Sequence, residues 1–131
     1  MCAVFNGFPG MAHTGAARSA VDNLTKSLAL EWASAGVRVN AVAPGVIYSD
    51  SAAENYPPGF LASVASDLPF HRLGTPQEVS SAVTYLLSPG ARYVSGATLR
   101  VDGASSLYGH AAFRIKPHDT LPPLEEPQQS E

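Results

Sequence analysis

Residues Thr14 to Gly45 read TGAARSAVDNLTKSLALEWASAGVRVNAVAPG, and this stretch decides the fold. Its first part predicts a helix starting near Thr14, a residue able to serve as N-cap or in the first turn, in a run rich in alanine and leucine. Val21, Leu24, Leu28 and Trp32 recur at spacings of three and four, which puts them on one apolar stripe. Gly36 stands at a C′-like position, where a left-handed residue stops a helix. Val37, Val39, Ala41 and Val42, with Arg38 and Asn40 between them, then predict a short strand rich in β-branched residues. Pro44-Gly45 ends it, because proline cannot extend a paired central strand and glycine frees the next turn.

Downstream, Val46 to about Leu68 has mixed composition with Pro57-Pro58-Gly59 in its middle, and predicts an excursion carrying one or two short helices. A second helix is expected from Thr75. Thr75-Pro76-Gln77-Glu78 offers a capping residue, proline at the first helical position and a glutamate placed to close a capping box. That helix runs through Val79, Ala82, Val83, Leu86 and Leu87 to Ser88-Pro89-Gly90. Tyr93 to Val101 predicts a turn and a strand, closed by Asp102-Gly103. Upstream, Gly7, Pro9 and Gly10 mark a loop after the tail of a strand at Met1 to Phe5. Beyond His110 prolines and acids accumulate without apolar periodicity, which predicts a disordered tail at 110–131 after a partial domain at 1–109. The order helix, strand, excursion, helix, strand suits the closing half of a parallel α/β sheet.

Composition narrows the function classes. With 8 Lys+Arg against 11 Asp+Glu the formal charge is −3, which predicts neither a nucleic-acid nor a membrane-surface partner. No apolar run reaches membrane-spanning length, and no basic n-region precedes the apolar start. Cys2 is the single cysteine, so no internal disulfide forms. His13, His71, His110 and His118 are scattered without cysteine or carboxylate at metal-site spacing, and no metal site is expected.

Four segments carry a resemblance. Asn23-Leu24-Thr25-Lys26-Ser27-Leu28-Ala29-Leu30-Glu31, the Gly36–Gly45 strand, Arg72-Leu73-Gly74-Thr75-Pro76-Gln77-Glu78-Val79, and Val101-Asp102-Gly103 after Gly96 occur here in order. Together they resemble the short-chain dehydrogenase/reductase family over roughly Gly7 to Tyr108. The resemblance implies the C-terminal half of a doubly wound, Rossmann-like parallel sheet. Gly7-Phe8-Pro9, His13-Thr14-Gly15-Ala16-Ala17-Arg18, Gly45-Val46-Ile47-Tyr48-Ser49 and Glu54-Asn55-Tyr56 are similar to the wording of the family's peroxisomal trans-2-enoyl-CoA reductase branch. That likeness implies NADPH as cofactor, an acyl-CoA substrate, a homo-oligomer in the intact family and a peroxisomal setting. The chain ends Gln129-Ser130-Glu131 rather than in a Ser-Lys-Leu-like signal, which leaves the cytoplasm as the other expectation.

Most of the family carries a tyrosine and, four residues on, a lysine on the catalytic helix. By the same resemblance those positions are Thr14 and Arg18, and a tyrosine expected one turn later in the branch is Asp22. The three share a helix face, which reads either as a polar face towards substrate or as a Thr14 cap plus an Arg18–Asp22 surface pair. Pro44, Gly45, Val46, Ile47 and Ser49 are the implied cofactor-binding residues, with Tyr48–Leu68 as a substrate lid. No glycine-rich phosphate loop opens a helix after a first strand, and an uncovered helix stripe is therefore expected. A truncated product that at most pairs with a partner chain is the competing expectation; an unrelated binding module on an α/β half-sheet is the third.

Overall fold

The computed structural model describes residues 10–107, apart from the side chain of Ala52. The expected strand tail at Met1–Phe5 and the tail from residue 110 fall outside them. The elements in chain order are α1 (Ala12–Glu31), β1 (Ala41–Pro44), α2 (Asp50–Asn55), α3 (Phe60–Asp67), α4 (Pro76–Leu87) and β2 (Thr98–Val101). Short 3-10 turns at Ala33–Ala35, Pro89–Ala91 and Ser105–Leu107 join or follow them. No helix among the described residues is long and apolar enough to cross a membrane.

Helix α1 starts two residues before Thr14, which lies in its first turn. The N-cap is Met11, and no side chain bonds to the first turn there. Thr14 is thus not the cap, because the chain turns into the helix directly after Gly10, whose φ of 80° supplies the left-handed bend. At the far end α1 stops at Glu31, earlier than expected, and Gly36, at φ 73°, closes the 3-10 turn that follows it.

The face of α1 that seats on the sheet is small rather than large. Thr25 (5 % exposed) and Ala29 (8 %) are buried, while Val21, Leu24 and Trp32 stand about half exposed at 50 %, 54 % and 45 %. A Cβ on Gly96 would come within 3.3 Å of the Ala29 Cβ, so helix and the approach to β2 touch almost backbone to backbone. Thr25 meets its burial by donating to the Val21 carbonyl at 2.8 Å. The apolar stripe is consequently uncovered.

β1 and β2 pair in parallel, Ala41 opposite Thr98 through Pro44 opposite Val101. The strand begins later than the valine pattern suggests, at Ala41 rather than Val37. Residues 37–40 instead engage the irregular 94–97 segment: Arg38 Nη1 donates to the Val94 carbonyl at 3.3 Å and Gly96 N–H to the Val39 carbonyl at 2.7 Å. Asn40 is the staple. Its Nδ2 donates to the Val94 carbonyl at 2.9 Å and its Oδ1 accepts from Ala97 N–H at 3.0 Å. Side-chain and irregular bonds thus take the place of a regular ladder over four residues.

The excursion holds two short helices, as anticipated, and Pro57-Pro58-Gly59 is the turn between them. Phe60 N–H donates to the Pro57 carbonyl at 3.0 Å, and the rings of Tyr56 and Phe60 stack across the turn with centroids 4.7 Å apart. Helix α4 forms with both halves of the expected capping box in place. It packs on both strands, burying Leu86, and Ala43 and Ala91 complete a core of mostly small side chains.

Candidate functional site

The carboxyl end of β1 is held by close backbone contacts. Gly45 N–H donates to the Val101 carbonyl at 2.9 Å. A Cβ on Gly45 would lie 2.8 Å from the Asp102 Cα and 3.1 Å from its carbonyl oxygen, so this position has room only for hydrogen. Asp102 in turn shapes the exit of β2, accepting from Ala104 N–H at 3.1 Å and Ser106 N–H at 3.0 Å. The bend there takes Gly103 and even Ala104 to positive φ, 54° and 62°.

Beyond Gly45 the chain is stitched to Gly74. Gly74 N–H donates to the Val46 carbonyl at 2.9 Å, and Tyr48 N–H to the Gly74 carbonyl at 2.8 Å. Ile47 is thereby bridged in parallel to Gly74, a pattern that directs the N–H and C=O of Ile47 itself to the opposite edge. Ser49 is exposed, and its carbonyl accepts from Ala53 N–H at 3.0 Å as α2 begins.

Gly74 is anchored through Glu78. Arg72 grips the Glu78 carboxylate with Nη1 at 3.0 Å and Nη2 at 2.7 Å, and Thr75 N–H donates to it at 2.8 Å. The Arg72 hydrogen bonds chiefly, opposed by desolvation and helped by Thr75, hold the Glu78 carboxyl at about 2 against an ordinary 4.5. A depressed pKa stabilises the fold fully above the unfolded value and loses that contribution as pH falls towards the folded one. Stability is therefore expected to fall between pH 4.5 and about 2, and Glu78→Gln should flatten that part of a urea-midpoint-versus-pH curve. The Glu78 side chain is 42 % exposed, so solvent screens the pair and the effect is modest.

The other wall belongs to α1. Thr14 (half-buried), Arg18 (exposed) and Asp22 line a cleft of about 350 Å³ together with Pro44 and Thr98. Gly45, Val46 and Ile47 line a second cavity of about 330 Å³, with Phe70, Arg72 and Asp102. The structure thus brings Thr14, Arg18 and Pro44 to one cleft, puts Gly45 to Ile47 on the other, and leaves Ser49 exposed and on neither.

The Arg18–Asp22 pair expected as the alternative does not form. Lys26 Nζ donates to Asp22 Oδ2 at 2.5 Å and Thr98 Oγ1 to Oδ1 at 2.7 Å. An acid followed four residues later by lysine is the favourable order on a helix, and β2 supplies the second donor. The Lys26 and then the Thr98 hydrogen bond lower the Asp22 pKa. Arg18 makes no ion pair with a described residue. The sequence assigns no role to Asn40, Arg72 or Gly74, which it shows only inside the strand or a family-like segment, and gives no signal for Thr98; of their partners, Glu78 alone carries a local signal, the capping box. Among the described residues no group of three His, Cys, Asp or Glu stands close enough to hold a metal ion.

Residues 1–105 match the family model described as enoyl-(acyl carrier protein) reductase. A tropinone reductase homolog of Arabidopsis thaliana is 45% identical over 94 residues, 72% of this chain and 35% of that protein. The 3-oxoacyl-[acyl-carrier-protein] reductase FabG of Vibrio harveyi is 44% identical over 97 residues, 74% and 39%. A Bacillus subtilis protein named "Probable 2,4-dienoyl-CoA reductase [(2E)-enoyl-CoA-producing]" is 39% identical over 101 residues, 75% and 40%. Among solved structures, a 4-hydroxyisoleucine dehydrogenase mutant complexed with NADH and succinate superposes with TM-score 0.74 at 29% identity, covering 82% of this chain and 45% of that one. The chain thus spans between 35% and 40% of the length of these curated relatives.

Proposed function

The chain belongs to the short-chain dehydrogenase/reductase family, and from that premise we propose that it forms the substrate-side half of an NADPH-dependent reductase of acyl thioesters, a trans-2-enoyl-CoA reductase. The α/β, Rossmann-like fold of its solved neighbours fits that role. One observation carries the reading: Thr14 and Arg18 line one cleft with β1, along its length to Pro44 at the carboxyl end of the strand. Sheets of this kind bind ligands there. The matched model's description and two of the relatives, which act on acyl carrier or CoA thioesters by name, support the substrate class.

The residues present fit a reduced dinucleotide. The Ile47 N–H and C=O, turned away from Gly74, suit a carboxamide, and Arg18 presents a permanent cation to phosphate or ribose. Bound there, the nicotinamide supplies hydride for the β-carbon of the acyl chain. Thr14 donates a hydrogen bond to the thioester oxygen as enolate charge builds on it. Asp22, ionised and engaged by Lys26 and Thr98, does not serve as the acid. Neither Thr14 nor Arg18 gives up a proton readily, so the α-carbon takes its proton from water admitted to the cleft.

The uncovered Val21, Leu24 and Trp32 favour a second reading, a non-catalytic chain that pairs with another subunit. A homo-oligomer would use the same stripe. NADPH titration of the chain, followed by Trp32 emission and then by loss of NADPH absorbance on adding a trans-2-enoyl-CoA, separates the two. The reductase reading expects saturable binding, turnover, and affinity weakened about tenfold or more by Arg18→Met, the loss of a charge-assisted contact. Binding and turnover both absent, in a folded oligomeric chain, would leave the pairing reading.

A further inference from the structure

We propose that Asp22 is a positioning residue of the α1 cleft: through Thr98 it sets how far along the sheet α1 lies, and so where Thr14 and Arg18 stand relative to Pro44. This rests on the cleft being the cofactor and substrate site. The seated face of α1 runs Asp22, Thr25, Ala29. Thr25 and Ala29 fix the height of the helix above the strands, since small side chains allow close approach. Apolar contact has no direction, however, and does not resist sliding. A hydrogen bond does. The bond from Thr98 Oγ1 to Asp22 Oδ1, 2.7 Å across 76 residues of sequence, ties the middle of α1 to the first residue of β2. Lys26 holds the other oxygen, which opposes rotation of the carboxylate away from the bond.

The dimensions agree with a common frame. Thr98 pairs with Ala41, at the start of β1, and Pro44 ends that strand three residues on, about 10 Å at strand rise. On the helix, Thr14 precedes Asp22 by eight residues, about 12 Å at helix rise. Helix and strand are thus registered at Asp22–Thr98–Ala41 and line the cleft together from there to Thr14 and Pro44. Displacements of about 1 Å matter for reacting groups, and a slide of α1 displaces Thr14 and Arg18 equally.

The test uses the full chain with Thr98→Val, which keeps shape and strand preference but removes the donor, and Thr98→Ser, which restores it. Two measurements are made: NADPH affinity, and amide hydrogen exchange along α1. Thr98→Val should weaken NADPH about tenfold, as for a lost hydrogen bond to a charged group, and Thr98→Ser should recover most of it. Its loss should not add to that of Arg18→Met, because both act through one contact. Exchange should quicken over Ala12–Asp22 more than over Leu24–Glu31. Additive losses, or unchanged affinity and exchange, would overturn the proposal. If the unaltered chain binds no NADPH the cofactor reading fails on its own account, and exchange decides the latch: selective quickening reversed by serine supports it, uniform or absent change refutes it.

Discussion

Gly45→Ala is expected to cost about 3 kcal/mol of folding stability and to abolish whatever ligand binding the strand end supports. The added methyl would meet the Cα of Asp102 at 2.8 Å, its Cβ at 3.0 Å and its carbonyl oxygen at 3.1 Å. Two of those atoms are backbone, and the carboxylate of the same residue is committed to Ala104 and Ser106, so the turn has little freedom to retreat. Overpacking of this kind costs roughly 1–3 kcal/mol, and the upper end applies where the obstacle is main chain. The alternative is to part Gly45 from Val101, losing the 2.9 Å bond that closes the strand pair. Gly74→Ala is the control. Its Cβ would press on Ile47 Cδ1 at 2.6 Å, but that is the free end of a side chain able to change rotamer. A loss of about 1 kcal/mol or less is expected there. Urea unfolding of both variants checks the pair, and equal losses would show that the Asp102 turn yields more easily than its geometry implies.

Leu86→Ala should be the more damaging of two neighbouring substitutions by a wide margin. Leu86 is 8 % exposed and Leu87 is 77 % exposed. Truncating the buried leucine removes its transfer free energy and leaves a cavity, together about 2–5 kcal/mol. Truncating the exposed one should cost about 0.5 kcal/mol or less. Because the described core is made largely of alanines, no larger side chain is at hand to collapse into the gap. A loss of this size is a large fraction of a small domain's stability. Thermal unfolding should show Leu86→Ala lowered by roughly 10 °C or more, or already unfolded, and Leu87→Ala almost unchanged. Similar midpoints for the two would mean that α4 is not seated on the strands by Leu86.

What the residues disclosed in advance depended on how local the causes are. Helix α4 was legible to its first residue, because the capping box and Pro76 act within one turn. The left-handed stop at Gly36 was legible for the same reason, though α1 itself ends at Glu31 and Gly36 closes the 3-10 turn after it. Of the expected stripe, Val21, Leu24 and Trp32 stand about half exposed while Leu28 is partly buried, and the face that seats was not visible. Ala29 looks unremarkable until Gly96 is known to pass beneath it. The strand began late because Asn40 spends its amide on Val94 and Ala97, a contact across more than fifty residues that no window of sequence contains.

The site divides along the same line. Four-residue spacing alone put Thr14, Arg18 and Asp22 on one face, and the cleft confirms that they share it. The partner of Asp22 could not be chosen by spacing alone, since Arg18 and Lys26 are equally distant along the helix, and Thr98 lies in another element. The grip of Arg72 on Glu78 spans six residues and a change from loop to helix, which fits no repeat. Chemistry beyond the bare fold came from ordered motif words rather than from periodicity.

The parallel pairing of β1 with β2 also has a consequence for how the chain comes into being. The staple from Asn40 to Ala97 closes a span of 57 residues, and loops of that length are entropically dear to close before any contact repays them. Parallel partners so far apart pair slowly. During synthesis at roughly 5–20 residues per second, α1 can emerge and coil while its docking surface has yet to be made. For several seconds Pro44 and Gly45 have no Val101 to pair with, and the uncovered leucines of α1 have no sheet at their back. Chaperone binding to the nascent chain should be strongest in that interval and fall once Val101 has cleared the ribosome.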